Sequence, residues 1–469
     1  MQAARSLLQG ALERQRDAYA RAPAPTYRQR VEDLRSLRRF LIENRDVLIE
    51  AVNADYGNRS RHETLFSELV PVLDGIKHTL KHLRGWMKPQ RRGVDLLLFP
   101  GARNLVLAQP LGVVGVIVPW NFPINLAFLP LTSIFAAGNR AMVKLSENSQ
   151  HFAALLIERL PRYFAPDKLA VFAETGGVGV EFSRLNVDHL LFTGSTQTGR
   201  SVMSAAASNL VPVTLELGGK SPALLCDDFP LRTAAERILF VKLLNAGQIC
   251  TTVDYLLMPR TRIAEFVALA QEITPRRYPE LSSRDYTSII DARSFARITQ
   301  ALEAARARGA TLVPLLPGKP WDEISRKIAP HLVLDVPADC ELLQREIFGP
   351  VLPILGYDTL DEAVAFINQR PRPLAFYPFS RQRHIIDRLL AQVMSGGVSV
   401  NDALWHVGQH DLPFGGVGPS GMGHYHGREG FVTFSKMRPV FYQARLSGMR
   451  LLWPPFRGLA DKVLDLLTR

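Results

Sequence analysis

The feature that most constrains the fold is a long run of residues without a single charge, between positions 104 and 139. The run is long enough to span a bilayer. Prolines at positions 110, 119, 123 and 130 interrupt it, whereas a spanning helix must satisfy its own backbone hydrogen bonds. The run therefore predicts buried core: a strand over 112–119, a loop, and a helix from about 125 to 137.

Strands and helices alternate after position 110. The continuous apolar run over 113–118 is typical of a parallel strand buried on both faces. Further strands are predicted at 140–144, 170–173, 190–193 and 213–217, with helices at 149–163 and 196–207. Short connections between them predict an α/β fold with a doubly wound parallel sheet. Similar candidates between 221 and 400 predict a second α/β unit.

Composition excludes several classes of protein. The 469 residues are 47% hydrophobic and 21% charged, which is typical of a globular chain. Three cysteines cannot form a disulfide framework, so we expect a reducing, cytoplasmic location. The net charge of +12 could favour nucleic acid or an anionic membrane, but the basic residues are dispersed and no nucleic-acid-binding motif accompanies them. We expect no specific nucleic-acid partner.

The two ends of the chain bear on targeting and on membrane contact. Charged residues interrupt any apolar run near the start, so no secretory signal is expected. The tail from 437 to 469 carries six basic and two acidic residues around an apolar helix at about 459–467. It could dock on the protein's own surface or touch a membrane peripherally, and the sequence leaves both open.

Three residues could carry covalent chemistry. Cys250 follows a predicted helix, and a lone cysteine is either a packing residue or a nucleophile, depending on its neighbours. Glu216 ends an apolar strand, where burial would raise its pKa toward that of a useful base, unless it is ion-paired. Asn121, between two prolines, is either an oxyanion donor or a turn residue. Cys226 and Cys340 are interpreted as packing thiols.

Other residues suggest a dinucleotide site. Gly194 and Ser195 stand between a strand and a helix, where backbone N–H groups attract a pyrophosphate. The usual fingerprint of three spaced glycines is absent. Lys144 and Glu147 could hold ribose hydroxyls or form a surface pair. His406 with His410, and His424 with His426, lack a cysteine or acidic cluster, so no metal is expected.

Six motifs in order resemble the aldehyde dehydrogenase superfamily. They lie at 119–123 (PWNFP), 192–195 (FTGS), 215–222 (LELGGKSP), 247–250 (GQIC), 346–350 (EIFGP) and 413–416 (PFGG). The similarity covers about 26–441. The ending at 414–427 resembles the class 3 branch, and segments 59–64 and 243–248 are similar to its coniferyl aldehyde dehydrogenases.

The resemblance implies a fold and a mechanism. Residues 1–216 would form an NAD(P)-binding domain with a bridging arm at about 89–110, residues 217–400 a catalytic domain, and residues 401–469 a return to the first domain with a bridging strand and the tail. The Cys250 thiolate would attack an aldehyde, with the oxyanion held by Asn121 and the Cys250 N–H. After hydride transfer, Glu216 would activate water to hydrolyse the thioester.

The resemblance also implies a cofactor, a substrate class and a homodimer. The residues matched to NAD or NADP contacts are Trp120, Lys144, Glu147, Gly194, Ser195, Glu346 and Phe348. The substrate would be an aromatic, cinnamyl-type or other hydrophobic aldehyde. Leu145 replaces the usual Pro of the family, Ile249 a common Thr, and 251–255 also departs from the branch. The first change bears on NAD against NADP, and the others bear on the substrate.

Three alternatives stay open. The chain could oxidise fatty or aliphatic aldehydes at a membrane surface. It could pass the thioester to coenzyme A, although Glu216 argues against this because a base that activates water serves hydrolysis. It could also be a non-catalytic protein associated with membrane or nucleic acid, although the complete set of catalytic residues argues against this.

Overall fold

The computed structural model describes residues 2–96, 98–445, 447–456 and 458–468. Five helices come first, with a π-helical turn at Leu65–Leu69 before the last: α1 (Gln2–Arg21), α2 (Tyr27–Glu43), α3 (Arg45–Tyr56), α4 (Arg61–Thr64) and α5 (Val70–Trp86). A capping box of Thr26 and Gln29 starts α2. Leucines at helical spacing bury its inner face, so α2 packs against the core.

The first α/β unit follows. Its elements are β1 (Gln90–Arg92), β2 (Arg103–Pro110), β3 (Val113–Ile117), α6 (Pro123–Ala137), β4 (Arg140–Lys144), α7 (Gln150–Arg159), β5 (Leu169–Phe172), α8 (Val178–Ser183), β6 (His189–Gly194), α9 (Thr196–Ala207) and β7 (Val213–Leu217). Strands β3 to β7 are parallel, in the order β7-β6-β3-β4-β5. The strand order reverses between β3 and β6, and ligands bind at such points in open α/β sheets.

The uncharged run forms the centre of this unit. Every residue of β3 is buried, and so are all residues of α6 except Asn125. Pro123 lies in the first turn of α6, where its missing N–H costs nothing. The predicted strand and helix are confirmed, although the helix begins two residues earlier than expected.

The second unit is built on a seven-stranded sheet. Its elements are β8 (Pro222–Leu225), α10 (Leu231–Leu243), β9 (Tyr255–Pro259), α11 (Ile263–Arg277), α12 (Ala292–Ala307), β10 (Thr311–Pro314), β11 (Trp321–Asp322), β12 (Lys327–Ile328), β13 (His331–Leu334), α13 (Glu341–Gln344), β14 (Val351–Tyr357), α14 (Leu360–Asn368), β15 (Ala375–Phe379), α15 (Arg383–Gln392) and β16 (Gly397–Val398). The order is β10-β13-β14-β9-β8-β15-β16, and only β10 is antiparallel to its neighbour. The α/β fold with two sheets is therefore as expected.

The last part of the chain returns to the first unit. Its elements are β17 (Gly421–Met422), α16 (Gly427–Thr433), β18 (Ser435–Tyr442) and α17 (Gly458–Leu467). β17 pairs with β7, and β18 pairs along its whole length with β2, which also pairs with β1. The predicted arm is thus a three-stranded antiparallel sheet. The division of the chain into domains at 216 and 400 stays a proposal. Its first boundary falls beside Leu217, where β7 ends.

The tail carries an exposed apolar surface. Leu459, Leu464 and Leu466 on α17 are all exposed. Arg457 and Arg469, two of the basic residues counted in the sequence, lie outside the described residues. Across the described ranges, no helix is both long and apolar enough to cross a membrane.

Candidate active site

A strained turn carries Cys250. The short helical turn Leu244–Gly247 follows α10, and Asn245 and Ala246 have φ values of 51° and 50°. Gly247 also has a positive φ, and an added Cβ would collide with the carbonyl of Gly349. Strain of this kind persists only where the surroundings enforce it, and it is common at active sites. The turn holds Cys250 half-buried at a cavity.

Glu216 lies on β7, close to the thiol. Its side chain is buried, and neither carboxylate oxygen has a hydrogen-bond partner among the described residues. Burial raises the pKa of Glu216 well above its usual value. Burial also raises the pKa of Cys250, and the charges of Glu216 and Glu346 raise it further. The carboxyl is therefore unpaired and near the sulfur, as a base would be.

Asn121 lies in the loop that follows β3. Its Nδ2 donates a 3.3 Å hydrogen bond to the carbonyl of Gln248, two residues before Cys250. The backbone N–H groups of Cys250 and Thr251 act on the sulfur and lower its pKa, against the larger effect of burial. The Asn121 amide and the backbone N–H groups at Cys250 are therefore candidate donors for an oxyanion.

An apolar cavity leads to the thiol. Phe122, Leu126 and Leu129 line one side of it, and Phe414 with Tyr425 lines another. Phe66 and Trp405, which also line it, stack on Phe240 from both sides, with ring centroids 6.1 and 6.2 Å apart. Sequence reasoning did not assign these aromatic residues. Phe122, Phe414 and Tyr425 carried a signal, because they lie in the motifs at 119–123 and 414–427.

The residues proposed for pyrophosphate and nicotinamide contacts lie after β3, at the end of β6 and in the segment before β14. Gly194 ends β6, and Ser195 caps α9 by accepting a hydrogen bond from the Thr198 N–H. Trp120 and Phe348 meet edge to face, with centroids 5.5 Å apart. Glu346 is close to Gly218, where an added Cβ would collide with its carboxylate. Burial and nearby Asp254 raise the pKa of Glu346 to about 8.

Lys144 does not pair with Glu147. Its Nζ lies 2.7 Å from Glu174, whereas Glu147 accepts a hydrogen bond from Ser146. The Glu174 carboxylate also accepts the N–H groups of Val178 and Gly179. Sequence reasoning missed Glu174, although its position just after β5 was a usable signal.

The histidines are held by other contacts. His406 bonds Ser399, His410 lies 3.5 Å from Asp74, and His426 stacks on Phe414. Within the part of the chain that the structure describes, no group of three or more histidine, cysteine or acidic side chains could hold a metal. Cys226 and Cys340 are buried.

The model of the Aldehyde dehydrogenase family matches residues 2–440. The chain belongs to the aldehyde dehydrogenase family. A probable coniferyl aldehyde dehydrogenase of Pseudomonas aeruginosa is 49% identical over 97% of this chain and 95% of its own. A mouse aldehyde dehydrogenase described as dimeric and NADP-preferring is 39% identical over 91% of this chain and 92% of its own. The substrate-bound structure of Staphylococcus aureus AldH has a TM-score of 0.92 and 34% identity, and it covers 98% of this chain and 99% of that one.

The protein is thus an NAD(P)-dependent aldehyde dehydrogenase, an oxidoreductase. The residues present fit such a cofactor. The N-terminus of α9 offers free N–H groups for a pyrophosphate. The buried Oε1 atom of the half-buried Glu346 lacks a partner among the described residues, and such an acceptor suits a ribose hydroxyl.

Proposed function

We propose that this aldehyde dehydrogenase oxidises aromatic, cinnamyl-type aldehydes to carboxylic acids. The observation that carries the proposal is an apolar cavity with Cys250 among its lining and Phe66 and Trp405 in its wall. A flat, conjugated aldehyde in this cavity would pack against the rings in its wall, and aromatic packing contributes about 0.5–1.5 kcal/mol beyond burial. The relative from Pseudomonas aeruginosa that is named for coniferyl aldehyde supports the same class.

The first chemical step belongs to Cys250. Its thiolate attacks the aldehyde carbon and forms a C–S bond, while the carbonyl π-electrons move to oxygen. The Asn121 amide and the Cys250 N–H donate to this oxyanion. One missing donor of this kind costs about 10²–10³ in kcat in other enzymes.

The second step is hydrolysis. When bound, NAD(P) would accept the hydride that the adduct loses as its oxyanion re-forms the C=O bond of a thioester, and Gly194 and Ser195 would hold its pyrophosphate and Glu346 a ribose. Glu216 then takes a proton from water, whose oxygen attacks the thioester carbon and releases the Cys250 thiolate. Because its oxygens have no partner among the described residues, Glu216 is available to orient that water.

A panel of aldehydes tests the substrate class. We expect kcat/KM to be highest for cinnamyl-type aldehydes, lower for benzaldehydes, and lowest for long aliphatic aldehydes. Trp405→Ala should reduce kcat/KM for the cinnamyl type about tenfold and leave short aliphatic aldehydes within about twofold. Trp453→Ala, in the exposed tail, is the matched control. A preference for long aliphatic aldehydes would support the fatty-aldehyde alternative instead.

For the cofactor, we propose that NAD is used in preference to NADP. The ammonium group of Lys144 could attract a 2′-phosphate, but the carboxylate of Glu174 already neutralises it at 2.7 Å. A second carboxylate, that of Glu147, lies three residues after Lys144. The carboxylate already paired with the lysine opposes an additional phosphate. The NADP-preferring mouse relative provides a direct comparison.

Two further expectations are kept as proposals. A homodimer, as in the name of the mouse relative, would have a mass of about twice 52.3 kDa by light scattering.

Peripheral membrane contact of the tail is testable by sedimentation with anionic vesicles, with and without residues 447–469. Equal sedimentation of both forms would exclude the tail as the membrane contact.

Coenzyme A is not expected to accept the acyl group. Glu216 favours water as the acceptor of the thioester, because a base next to the thiol activates it. Turnover without coenzyme A, with free acid as the product, tests this point. A strict requirement for coenzyme A would overturn the hydrolytic proposal.

A further inference from the structure

Arg59 is a buried charge with no role in the chemistry described so far. Its side chain has no exposed surface, and its guanidinium lies 4.9 Å from the centroid of Tyr56 and 4.8 Å from that of Phe122. Burying an arginine is costly unless it is paired and hydrogen-bonded. The contacts of the Arg59 guanidinium therefore indicate which part of the structure Arg59 holds in place.

The guanidinium has two polar partners. Nη2 lies 3.2 Å from Oε1 of Glu68, which is also fully buried. Nη1 donates a 2.6 Å hydrogen bond to the backbone carbonyl of Asn121. That carbonyl also accepts from the Tyr56 hydroxyl at 3.1 Å and from Asn245 Nδ2 at 3.2 Å. One carbonyl with three donors has little freedom to rotate.

The ion pair holds the loop on its far side as well. Oε2 of Glu68 accepts the N–H of Ile124 at 2.7 Å and that of Asn125 at 3.2 Å, in the first turn of α6. Arg59 and Glu68 together thus fix the backbone at Asn121 and at the two residues after Pro123. From this fixed backbone the Asn121 side chain extends toward the 248–250 segment, where its Nδ2 donates to the Gln248 carbonyl.

We propose that Arg59 is a positioning residue, which acts through the Asn121 backbone to hold the oxyanion-stabilising amide against Cys250. The proposal rests on the role of Asn121 given above. Preorganised donors are effective because they do not reorganise during the reaction, and a displacement of about 1 Å can cost about 10²-fold in rate.

Arg59→Lys is the principal variant. Lysine keeps the charge opposite Glu68, but it lacks the planar fork that reaches Glu68 and Asn121 together. We expect kcat to fall about tenfold or more, with KM for NAD unchanged. Tyr56→Phe, which removes one of the three donors and keeps the charges, should lower kcat by a smaller factor and serves if Arg59→Lys folds poorly.

Two readouts separate positioning from general damage. Alkylation of Cys250 by iodoacetamide needs no oxyanion donor, so its rate in Arg59→Lys should stay within about twofold of wild type. In an Asn121→Ala background, Arg59→Lys should cost no further activity, because the residue through which it acts is gone. Arg30→Lys is the matched control, since Arg30 is also buried and donates to a carbonyl, that of Ala136, away from Cys250.

The outcomes are distinguishable. If Arg59→Lys loses as much in the Asn121→Ala background as in wild type, or if alkylation falls in parallel, Arg59 is structural and the inference is overturned. The inference is also overturned if both Arg59→Lys and Tyr56→Phe keep full kcat while Asn121→Ala loses it. If Asn121→Ala itself keeps full kcat, the failure lies in the proposed oxyanion role.

Discussion

At the scale of single residues, the reactive centre contains two neighbouring acidic groups, the Cys250 thiol and the Glu216 carboxyl. Burial raises the pKa values of both Cys250 and Glu216, and the negative charge of Glu216 raises the pKa of Cys250 further. The protonated thiol is therefore favoured in the free enzyme at neutral pH. Deprotonation of both groups increases as the pH rises, so we expect the activity to rise with it.

Glu216→Gln should separate the effect of the Glu216 charge on Cys250 from the role of Glu216 as a base. At low pH Glu216 is protonated, so the variant should alkylate at Cys250 as slowly as wild type. As the pH rises through the pKa of Glu216, wild type gains a negative charge beside the sulfur and the variant does not. The variant thiol then has the lower pKa and should react faster with iodoacetamide.

The same variant should fail in turnover. Without a base to activate water, the thioester persists, so we expect a burst of one NADH per site and a steady-state rate lower by about 10²–10⁴. Stopped-flow absorbance measures both phases, and Cys250→Ala controls for alkylation elsewhere. Slower alkylation of Glu216→Gln at pH 9 would contradict the proximity of the two groups.

Cofactor choice also depends on single charges. Glu174→Gln would free the Lys144 ammonium group, so the ratio of kcat/KM for NADP to that for NAD should rise about tenfold, equivalent to about 1.4 kcal/mol. Glu181→Gln on α8, which breaks a surface pair with Arg184, is the matched control. An unchanged ratio would show that Glu174 does not limit binding of the 2′-phosphate.

At the scale of secondary-structure elements, the start of α9 links stability to cofactor binding. Ser195→Ala removes the N-cap and should lower the free energy of unfolding by about 1 kcal/mol. It should also raise KM for NAD, because the same turn is proposed to hold the pyrophosphate. Thermal unfolding and KM are the two measurements.

Thr359→Ala gives the matched control. Thr359 caps α14 in the second unit with the same geometry, accepting the N–H of Glu362. This variant should lose comparable stability and keep KM for NAD. If both variants raise KM equally, the effect of Ser195 is one of global stability.

What the sequence could predict depended on how local each signal was. Apolar runs and prolines over 112–137 predicted β3 and α6 almost completely, because the burial and backbone conformation of these elements depend on residues adjacent in the sequence. The pairing of β2 with β18 joins segments far apart in the chain, and no local pattern encodes such a register. The contacts of Arg59 were also out of reach, because charged side chains are usually interpreted as surface residues.

At the scale of the whole molecule, the charge of +12 should act on the cofactor. A net positive field attracts an anionic dinucleotide and is screened by salt, with a Debye length of about 10 Å at 0.1 M. We expect KM for NAD to rise about threefold between low salt and 0.5 M KCl, and KM for NADP to rise more steeply. KM for a neutral aldehyde is the internal control, and equal salt responses for both cofactors and the aldehyde would contradict a field effect.

The pairing of β17 with β7 has a consequence for synthesis on the ribosome. Gly421 lies opposite Glu216, so the strand that carries the proposed base has its outer neighbour from a part of the chain translated about two hundred residues later. A nascent chain that ends at residue 400 already contains Cys250, Glu216 and Asn121, but β7 is still an open edge. The strand that carries Glu216 should therefore gain its outer neighbour only after Gly421 and Met422 have emerged from the ribosome.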